Sequence, residues 1–122
     1  MPDPAVGIDL VDVDRIERAL ERRPRLAERL FTHAELEYAR SRRRPARHLA
    51  ARFAAKEATI KALGAPVPPH QVEVQGGGRE RPSLRLHGRA AELALERGVD
   101  LDVSLTHTGE LAAAVVIATN IT

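Results

Sequence analysis

The first thirty residues combine one apolar run with apolar positions at helical spacing. The run Val6 to Leu10 predicts a short strand that enters a turn, with Asp9 at its end. Further along, Ile16 and Leu20 recur at helical spacing, and Pro24 predicts a break between two short helical pieces. We therefore expect a strand followed by a broken, arginine-rich helix.

A long helical pattern occupies the middle of the chain. Before it, Thr32 and Glu35 have the spacing of a capping box, which predicts a helix from Ala34 to Arg40. After the basic break SRRRP, helical spacing resumes from His48 to Leu63, and Gly64 followed by a proline predicts its end. The motif RFAAKEATIKALG lies in this longest helix.

The C-terminal half has the alternation of strands. Apolar stretches that begin at Val72 and end at Leu86 flank three consecutive glycines and predict a β-hairpin. These glycines lack the lysine and the following helix of a P-loop, so we assign them to the turn. A helix is predicted from Arg89 to Arg97, with strands around Val103 and from Leu111 to Ala118. The pattern predicts an α+β fold with antiparallel pairing.

The predicted strand from Leu111 to Ala118 is apolar on both faces, whereas a half-buried edge strand of a small domain should alternate. One face can cover the helix around Phe53, where small alanines permit close approach. The other face has no partner within the 122 residues. We therefore expect an oligomer, and we take Val116 as an outward position where a charge would dissociate it.

Composition narrows the class of protein. The length suits a single domain over residues 1–122, and the absence of cysteine suits a reducing compartment. No apolar run approaches the roughly 20 residues of a membrane span, and Met1 to Gly7 lacks the basic and apolar regions of a signal peptide. We expect a soluble, cytoplasmic protein that does not engage a membrane.

Positive charge is concentrated in one segment. The net charge is only +2, yet Arg15 to Arg52 contains twelve arginines against five acids, which indicates an acidic partner. The chain has only three aromatic residues, too few for the stacking platforms of single-strand binders. We therefore expect an acidic protein or a phosphorylated small molecule rather than nucleic acid.

The long helix carries the only two lysines of the chain, Lys56 and Lys61, beside seventeen arginines elsewhere and within it. A compact ammonium suits a phosphate, which is one interpretation of this choice. The other is an ordinary amphipathic helix in which Glu57 and Lys61 form a surface pair.

Three further features have two interpretations each. Asp9 is either a metal ligand or an N-cap, a role that Asp12 or Asp14 could also fill. His107, where a strand meets a turn, is either a hydrogen-bonded edge residue or a functional one. The arginines of the first helical segment are either a solvated surface or a docking face. If the helix continues through the break at Pro24, those close to a common face are Arg15, Arg22 and Arg25.

Five motifs in order resemble one family. They are VGIDL, FTHAE, RFAAKEATIKALG, GRERPSLRLHG and SLTH. With this total length they resemble the holo-acyl-carrier-protein synthases, the short type of 4′-phosphopantetheinyl transferase, over nearly the whole chain. The sequence departs from many members at Ala5, where they have glycine, and in its proline-rich loop and triple glycine.

The resemblance implies the 4′-phosphopantetheinyl transferase fold, with an antiparallel sheet packed against a long helix. It implies transfer of phosphopantetheine from coenzyme A to a serine of an apo carrier protein of fatty acid or polyketide synthesis, leaving adenosine 3′,5′-bisphosphate. Asp9 and Glu57 would hold Mg²⁺ with the diphosphate, and Lys61 would neutralise charge on the leaving phosphate. The serine proton would pass to Glu57 or to a metal-bound water.

The resemblance also implies a homotrimer with active sites between neighbouring subunits. Four residues match positions that line the coenzyme A site, namely Arg52, Lys61, Thr106 and His107. The acidic carrier would dock on Arg15, Arg22 and Arg25. The rival interpretation is a non-catalytic basic module that binds an acidic protein or a nucleotide; a basic RNA-binding domain is disfavoured by the shortage of aromatic residues.

Overall fold

The computed structural model describes residues 5–121, so most of the N-terminal stretch considered for a signal peptide lies outside the described residues. The strands are β1 (Ala5–Asp12), β2 (Val72–Gly77), β3 (Glu80–Leu86), β4 (Val99–His107) and β5 (Leu111–Asn120). The helices are α1 (Val13–Arg22), α2 (Leu26–Leu30), α3 (His33–Arg40), α4 (Pro45–Leu63) and α5 (Gly88–Arg97). The predicted α+β class with antiparallel pairing is confirmed. No helix in the described range is long and apolar enough to cross a membrane.

The predicted boundaries agree with the structure to within about two residues, and two element ends need comment. The helix does break around Pro24, and Thr32 with Glu35 forms the predicted capping box of α3. However, β1 extends through Asp12 rather than ending near Asp9. The long helix begins at Pro45 instead of His48, because proline at the first helical position has a suitable φ and loses no hydrogen bond there.

β5 is the central strand of a three-stranded sheet with the order β1-β5-β4, whereas the sequence suggested an edge strand. The hairpin β2-β3 forms a separate two-stranded sheet. β5 pairs with β1 on one side and with β4 on the other. A central strand is shielded at both of its edges, which favours apolar residues along β5.

Helix α4 crosses the inner face of the three-stranded sheet at very short range. Its buried face is rich in alanine, including Ala54, Ala55 and Ala58, each fully shielded from solvent. A Cβ placed on Gly7 of β1 would lie 1.9 Å from the carbonyl oxygen of Ala58. Small residues on both elements therefore set the distance between helix and sheet, as the alanines of the sequence suggested.

We expect Gly7→Ala to destabilise the protein by about 3 kcal/mol or more, because the new methyl group meets backbone atoms that cannot move aside. Urea denaturation would measure the loss. The matched control is Gly98→Ala, where no atom lies within 4 Å and only the left-handed backbone (φ +59°) resists, at about 1–2 kcal/mol. Equal losses at the two glycines would contradict this account of the helix–sheet contact.

The register of the sheet determines which side chains face outward. Val116 pairs with Gly7 and is fully buried beneath α4, so its assignment as an outward position is wrong. A one-residue shift in register exchanges the faces of a strand, and the sequence pattern of β5 is apolar at every position. The residues that face away from α4 form an outer apolar face of β1 and β5: Val6, Ile8, Leu10, Leu111, Ala113, Val115 and Ile117.

Candidate functional site

Asp9 and Glu57 line one cleft between β1, α1, α2 and α4, together with Arg15, Leu26 and Phe53. We call it the carboxylate cleft. Asp9 lies in the middle of β1 and alternates with outward-facing neighbours, so its side chain shares the α4 side of the sheet with Gly7. The first helix is capped by Asp12 instead, which accepts hydrogen bonds from two backbone N–H groups. The interpretation of Asp9 as an N-cap is therefore wrong.

The two carboxylates of this cleft affect one another electrostatically. Burial raises the pKa of Glu57, the negative charge of Asp9 raises it further, and Lys61 partly opposes both effects. A divalent cation would relieve this repulsion, and carboxylate oxygens are the ligands that Mg²⁺ prefers. No group of three or more candidate ligand side chains occurs within residues 5–121. Two carboxylates thus fit a Mg²⁺ ion that takes its other oxygens from phosphate and water.

Lys61 bridges the end of α4 to β1 at the edge of the cleft. Its Nζ donates to the Ile8 carbonyl oxygen at 2.8 Å and to Asp9 Oδ1 at 3.3 Å, while the side chain remains about half exposed. Among the described residues Glu57 has no ion pair, so the predicted surface pair between Glu57 and Lys61 is not formed. The ammonium group lies instead beside a carboxylate, with room to approach a phosphate.

A second pocket surrounds the N-terminal half of α4 and shares no lining residue with the carboxylate cleft. We call it the cation pocket. Three of the four residues predicted to bind coenzyme A line it, whereas Lys61 lies at the other site. Its lining includes Tyr38, His48, Arg52, Gly77, Thr106 and His107.

Arg52 is nearly buried in this pocket, with 3% of its surface exposed. One terminal nitrogen donates to the Gly76 carbonyl oxygen at 2.7 Å, and the guanidinium carbon lies 4.0 Å from the Tyr38 ring centre. Burial lowers the pKa of Arg52, and its Nε has no hydrogen-bond partner. A buried cation with an unused donor suits an anionic ligand, since an unpartnered buried donor is otherwise costly.

His48 was missed at the sequence level. Its ring packs edge-on against that of His107, with ring centres 5.3 Å apart. Burial lowers the pKa of both histidines, helped by His107 and Arg52 at His48 and by Arg47 at His107. Within residues 5–121 His107 ends the edge strand β4, and its side chain makes this ring contact rather than a hydrogen bond, so both interpretations of His107 remain predictions. The available signal was that His48 precedes Arg52 by one helical turn.

Arg44 is another unforeseen residue, at the start of α4. Its φ of +48° lies in the left-handed region, where a residue with a side chain costs about 1–2 kcal/mol. Its guanidinium donates to Asp14 Oδ1 at 2.8 Å and to the Gly109 carbonyl oxygen. These bonds join the turn after His107 to helix α1.

The three predicted carrier arginines are exposed on or next to α1. Arg15 lines the carboxylate cleft, and Arg22 is the last residue of α1. Arg25 lies just before α2 in a groove with Leu26, which also lines the carboxylate cleft. The helix does not continue through Pro24, so a single face is not formed, but the groove and the cleft are adjacent. Within the described range none of the three is in an ion pair.

Lys56 and the three consecutive glycines lie in different surroundings from those that the sequence predicted. Lys56, considered for a phosphate, is fully buried and bonded to Glu35. Of the three glycines assigned to the hairpin turn, Gly76 and Gly77 belong to β2, and Gly77 and Gly78 line the cation pocket.

Residues 5–116 match the model of the 4′-phosphopantetheinyl transferase superfamily. The chain is 48% identical over 118 residues to the holo-[acyl-carrier-protein] synthase of Moorella thermoacetica, covering 91% of this chain and 90% of the relative. It is 51% identical over 118 residues to that of Salinispora arenicola, covering 93% and 96%. Its structure resembles the ACPS–CoA complex of Chronobacterium ammoniagenes with a TM-score of 0.85 and 32% identity over 98% of each chain.

Proposed function

The chain belongs to the 4′-phosphopantetheinyl transferase superfamily as an enzyme of the holo-acyl-carrier-protein synthase type, and on that premise we propose its reaction. It transfers phosphopantetheine from coenzyme A to a serine of an acidic apo acyl carrier protein and releases adenosine 3′,5′-bisphosphate. The observation that carries the proposal is the carboxylate cleft, where Asp9 and Glu57 lie beside a cationic Lys61 and next to exposed arginines. The working compartment would be the cytoplasm.

In this mechanism Asp9 and Glu57 would hold a Mg²⁺ ion, and the ion would supply positive charge to neutralise the diphosphate of coenzyme A. The serine oxygen forms a bond to the β-phosphorus while the bond to adenosine 3′,5′-bisphosphate breaks, and the serine proton passes to the Glu57 carboxylate or to a water molecule in the cleft. The Lys61 ammonium, already at the cleft edge, neutralises charge that grows on the leaving phosphate. Because phosphoryl transfer depends mainly on positioning and electrostatics, these few groups suffice.

The cation pocket would bind the nucleotide end of coenzyme A. Arg52 offers a buried, unpartnered N–H, and Thr106 and His107 complete a wall with hydrogen-bonding groups. The cation pocket and the carboxylate cleft share no lining residue within one chain, and in the proposed assembly coenzyme A bridges the cleft of one subunit and the pocket of its neighbour. This arrangement supports a trimer whose active sites lie between subunits.

The carrier would dock on the exposed arginines around the carboxylate cleft, and we expect each of Arg15→Glu, Arg22→Glu and Arg25→Glu to raise the KM for carrier about tenfold. The KM for coenzyme A should change far less, and added salt should weaken carrier binding of the wild type. Steady-state assays with each substrate varied in turn would measure both constants. The control is Arg40→Glu, an exposed arginine at the end of α3. An unchanged carrier KM in the triple reversal would mean that the three arginines are merely solvated.

The direct test of the reaction is to incubate the protein with coenzyme A, Mg²⁺ and a panel of apo carrier proteins, and then to weigh each carrier by mass spectrometry. We expect a gain of one phosphopantetheine on a carrier of fatty acid or polyketide synthesis, and none without Mg²⁺. No modified carrier, together with no thermal stabilisation by coenzyme A and Mg²⁺, would favour a non-catalytic binding module.

A further inference from the structure

A fully buried ion pair connects α3 and α4 to the hairpin, outside both the carboxylate cleft and the cation pocket. Lys56 Nζ lies 2.7 Å from Glu35 Oε1, and neither side chain has any exposed surface. The ammonium also donates to the carbonyl oxygens of Pro69 at 3.0 Å and Val72 at 2.6 Å. Glu35 Oε2 in turn accepts the backbone N–H of Val74 at 2.9 Å. Lys56 and Glu35 thus each form a hydrogen bond with the backbone at the start of β2.

This geometry explains why a lysine occurs here in a chain that otherwise uses arginine. Its three N–H donors leave one nitrogen and meet three acceptors from different segments. A planar guanidinium directs its donors in a fixed fork and is larger, so it cannot reproduce this arrangement. Burial lowers the pKa of Lys56, and the charge of Glu35 opposes that effect. Removing two charges from water costs free energy that can cancel the attraction between them, so a buried pair is weak evidence for a stabilising role. A role in positioning β2 is the better explanation.

The strand held by this pair leads directly to the cation pocket. Four residues after Val72, the carbonyl oxygen of Gly76 accepts a hydrogen bond from Arg52, and the next two glycines line the pocket. Arg52 and Lys56 are one turn apart on α4, so the helix fixes β2 at two points. In the described structure β2 pairs with β3 and not with the three-stranded sheet. The position of the glycines therefore depends on side chains of α3 and α4 rather than on the larger sheet.

A second carboxylate strengthens this attachment. Glu73 accepts a hydrogen bond from Thr32 Oγ1 at 2.7 Å and lies 3.0 Å from His87 Nε2. Burial alone would raise the pKa of Glu73, but the bonds from His87 and Thr32 outweigh it and lower the pKa. Thr32 also donates its backbone N–H to Glu35 at 2.9 Å, so the capping box of α3 is part of the same network.

We infer that Glu35 and Lys56 are positioning residues for nucleotide binding: their buried pair places β2 so that Gly77, at its end, and the following Gly78 form a wall of the cation pocket beside Arg52. The inference rests on the proposed function of the cation pocket, and it adds two residues that touch neither substrate.

The test compares Lys56→Met, Lys56→Arg and Glu35→Gln with the wild type. Adenosine 3′,5′-bisphosphate is titrated into each protein by calorimetry, and KM and kcat are measured for coenzyme A and carrier. We expect the Kd for the nucleotide and the KM for coenzyme A to rise about tenfold, with kcat and the carrier KM within about twofold. Amide hydrogen exchange should quicken in residues 72–78. Lys56→Arg should fail to rescue binding although it keeps the charge.

The control Val99→Ala distinguishes a general loss of stability from a specific loss of nucleotide binding. Val99 is a buried residue at the start of β4, at the opposite end of the strand from His107. It should lower the melting temperature without changing nucleotide affinity. If the single variants do not fold, the apolar double variant Glu35→Leu/Lys56→Met replaces the pair without leaving a lone buried charge. Its nucleotide affinity should still fall.

Three results have distinct meanings. A wild type that does not bind adenosine 3′,5′-bisphosphate would overturn the proposed function of the pocket. A wild type that binds while Lys56→Arg binds equally well would overturn only the positioning role. Equal losses in kcat, carrier KM and coenzyme A KM would also overturn it, because they would indicate a merely structural pair.

Discussion

Asp9→Ala and Glu57→Ala are each expected to lower transfer of phosphopantetheine by roughly 10³-fold, at or below the detection limit. Each change removes one of the two hard oxygen ligands that the carboxylate cleft supplies. Both side chains lie at a cleft rather than in the core, so the fold should persist. Initial rates at saturating coenzyme A, carrier and Mg²⁺ measure the loss, and circular dichroism checks the fold.

Glu57→Gln gives a sharper form of this experiment, because it keeps the shape of the side chain. The folded-state pKa of Glu57 is raised by burial and by Asp9, so ionisation of Glu57 costs stability. The cost is absent below the unfolded pKa, grows as the pH rises past it, and is complete above the raised folded-state pKa. We therefore expect Glu57→Gln to lose activity yet to be slightly more stable than the wild type at pH 7 without Mg²⁺, and to lose that advantage in acid.

Thermal unfolding across pH, with and without Mg²⁺, distinguishes the two effects. The wild type should gain stability from Mg²⁺ and coenzyme A together, and the Glu57→Gln variant should gain little. Mg²⁺-dependent transfer that survives in the variant of either carboxylate would remove that residue from the metal site. The conservative change Asp12→Asn serves as a control, since Asp12 caps α1 and lines the cleft without being assigned to the metal.

Local patterns in the sequence were sufficient for most elements of the fold. The capping box of Thr32 and Glu35, the break at Pro24 and the stop at Gly64 depend on neighbours within a few residues, and each is formed in the structure. The motifs also identified the carboxylates and Lys61, which the structure brings to one cleft. Features that depend on residues close together in the sequence can therefore be predicted from it.

The errors concern contacts between distant parts of the chain. The burial of Val116 depends on its pairing with Gly7 across the sheet, and an apolar strand gives no signal of its inward face. The partner of Lys56 is Glu35, twenty-one residues away, and the contact between His48 and His107 spans even more chain. Asp9 was placed at an element end because the apolar run ends at Leu10, whereas the backbone pairing with β5 continues to Asp12.

The outer apolar face of β1 and β5 is the reason to expect that the protein works only as an oligomer. Val6, Ile8 and Leu10 are each about two-thirds exposed, at 64%, 66% and 66%. They lie beside outward side chains of β5 and form a continuous apolar surface, which marks an interaction site. A closed ring of three copies would cover this face on every subunit.

A charge on that face should dissociate the ring and remove activity together. We expect Val6→Asp and Val115→Asp to sediment as monomers and to lose transfer by at least about 10²-fold, since coenzyme A would no longer bridge two subunits. The control Leu95→Asp makes the same kind of change at an apolar side chain that is 82% exposed on α5. It should leave both assembly and activity unchanged.

Subunit mixing tests whether the site is shared between neighbours. Asp9→Ala removes the carboxylate cleft of a subunit, and His107→Ala removes a wall of its cation pocket. Each variant alone should be inactive, but a mixed ring contains some interfaces where an intact cleft faces an intact pocket. Refolding or exchanging the two together should therefore restore part of the activity. A monomeric variant with full transfer, a wild type that is monomeric at assay concentration, or mixtures that stay inactive would each refute the shared site.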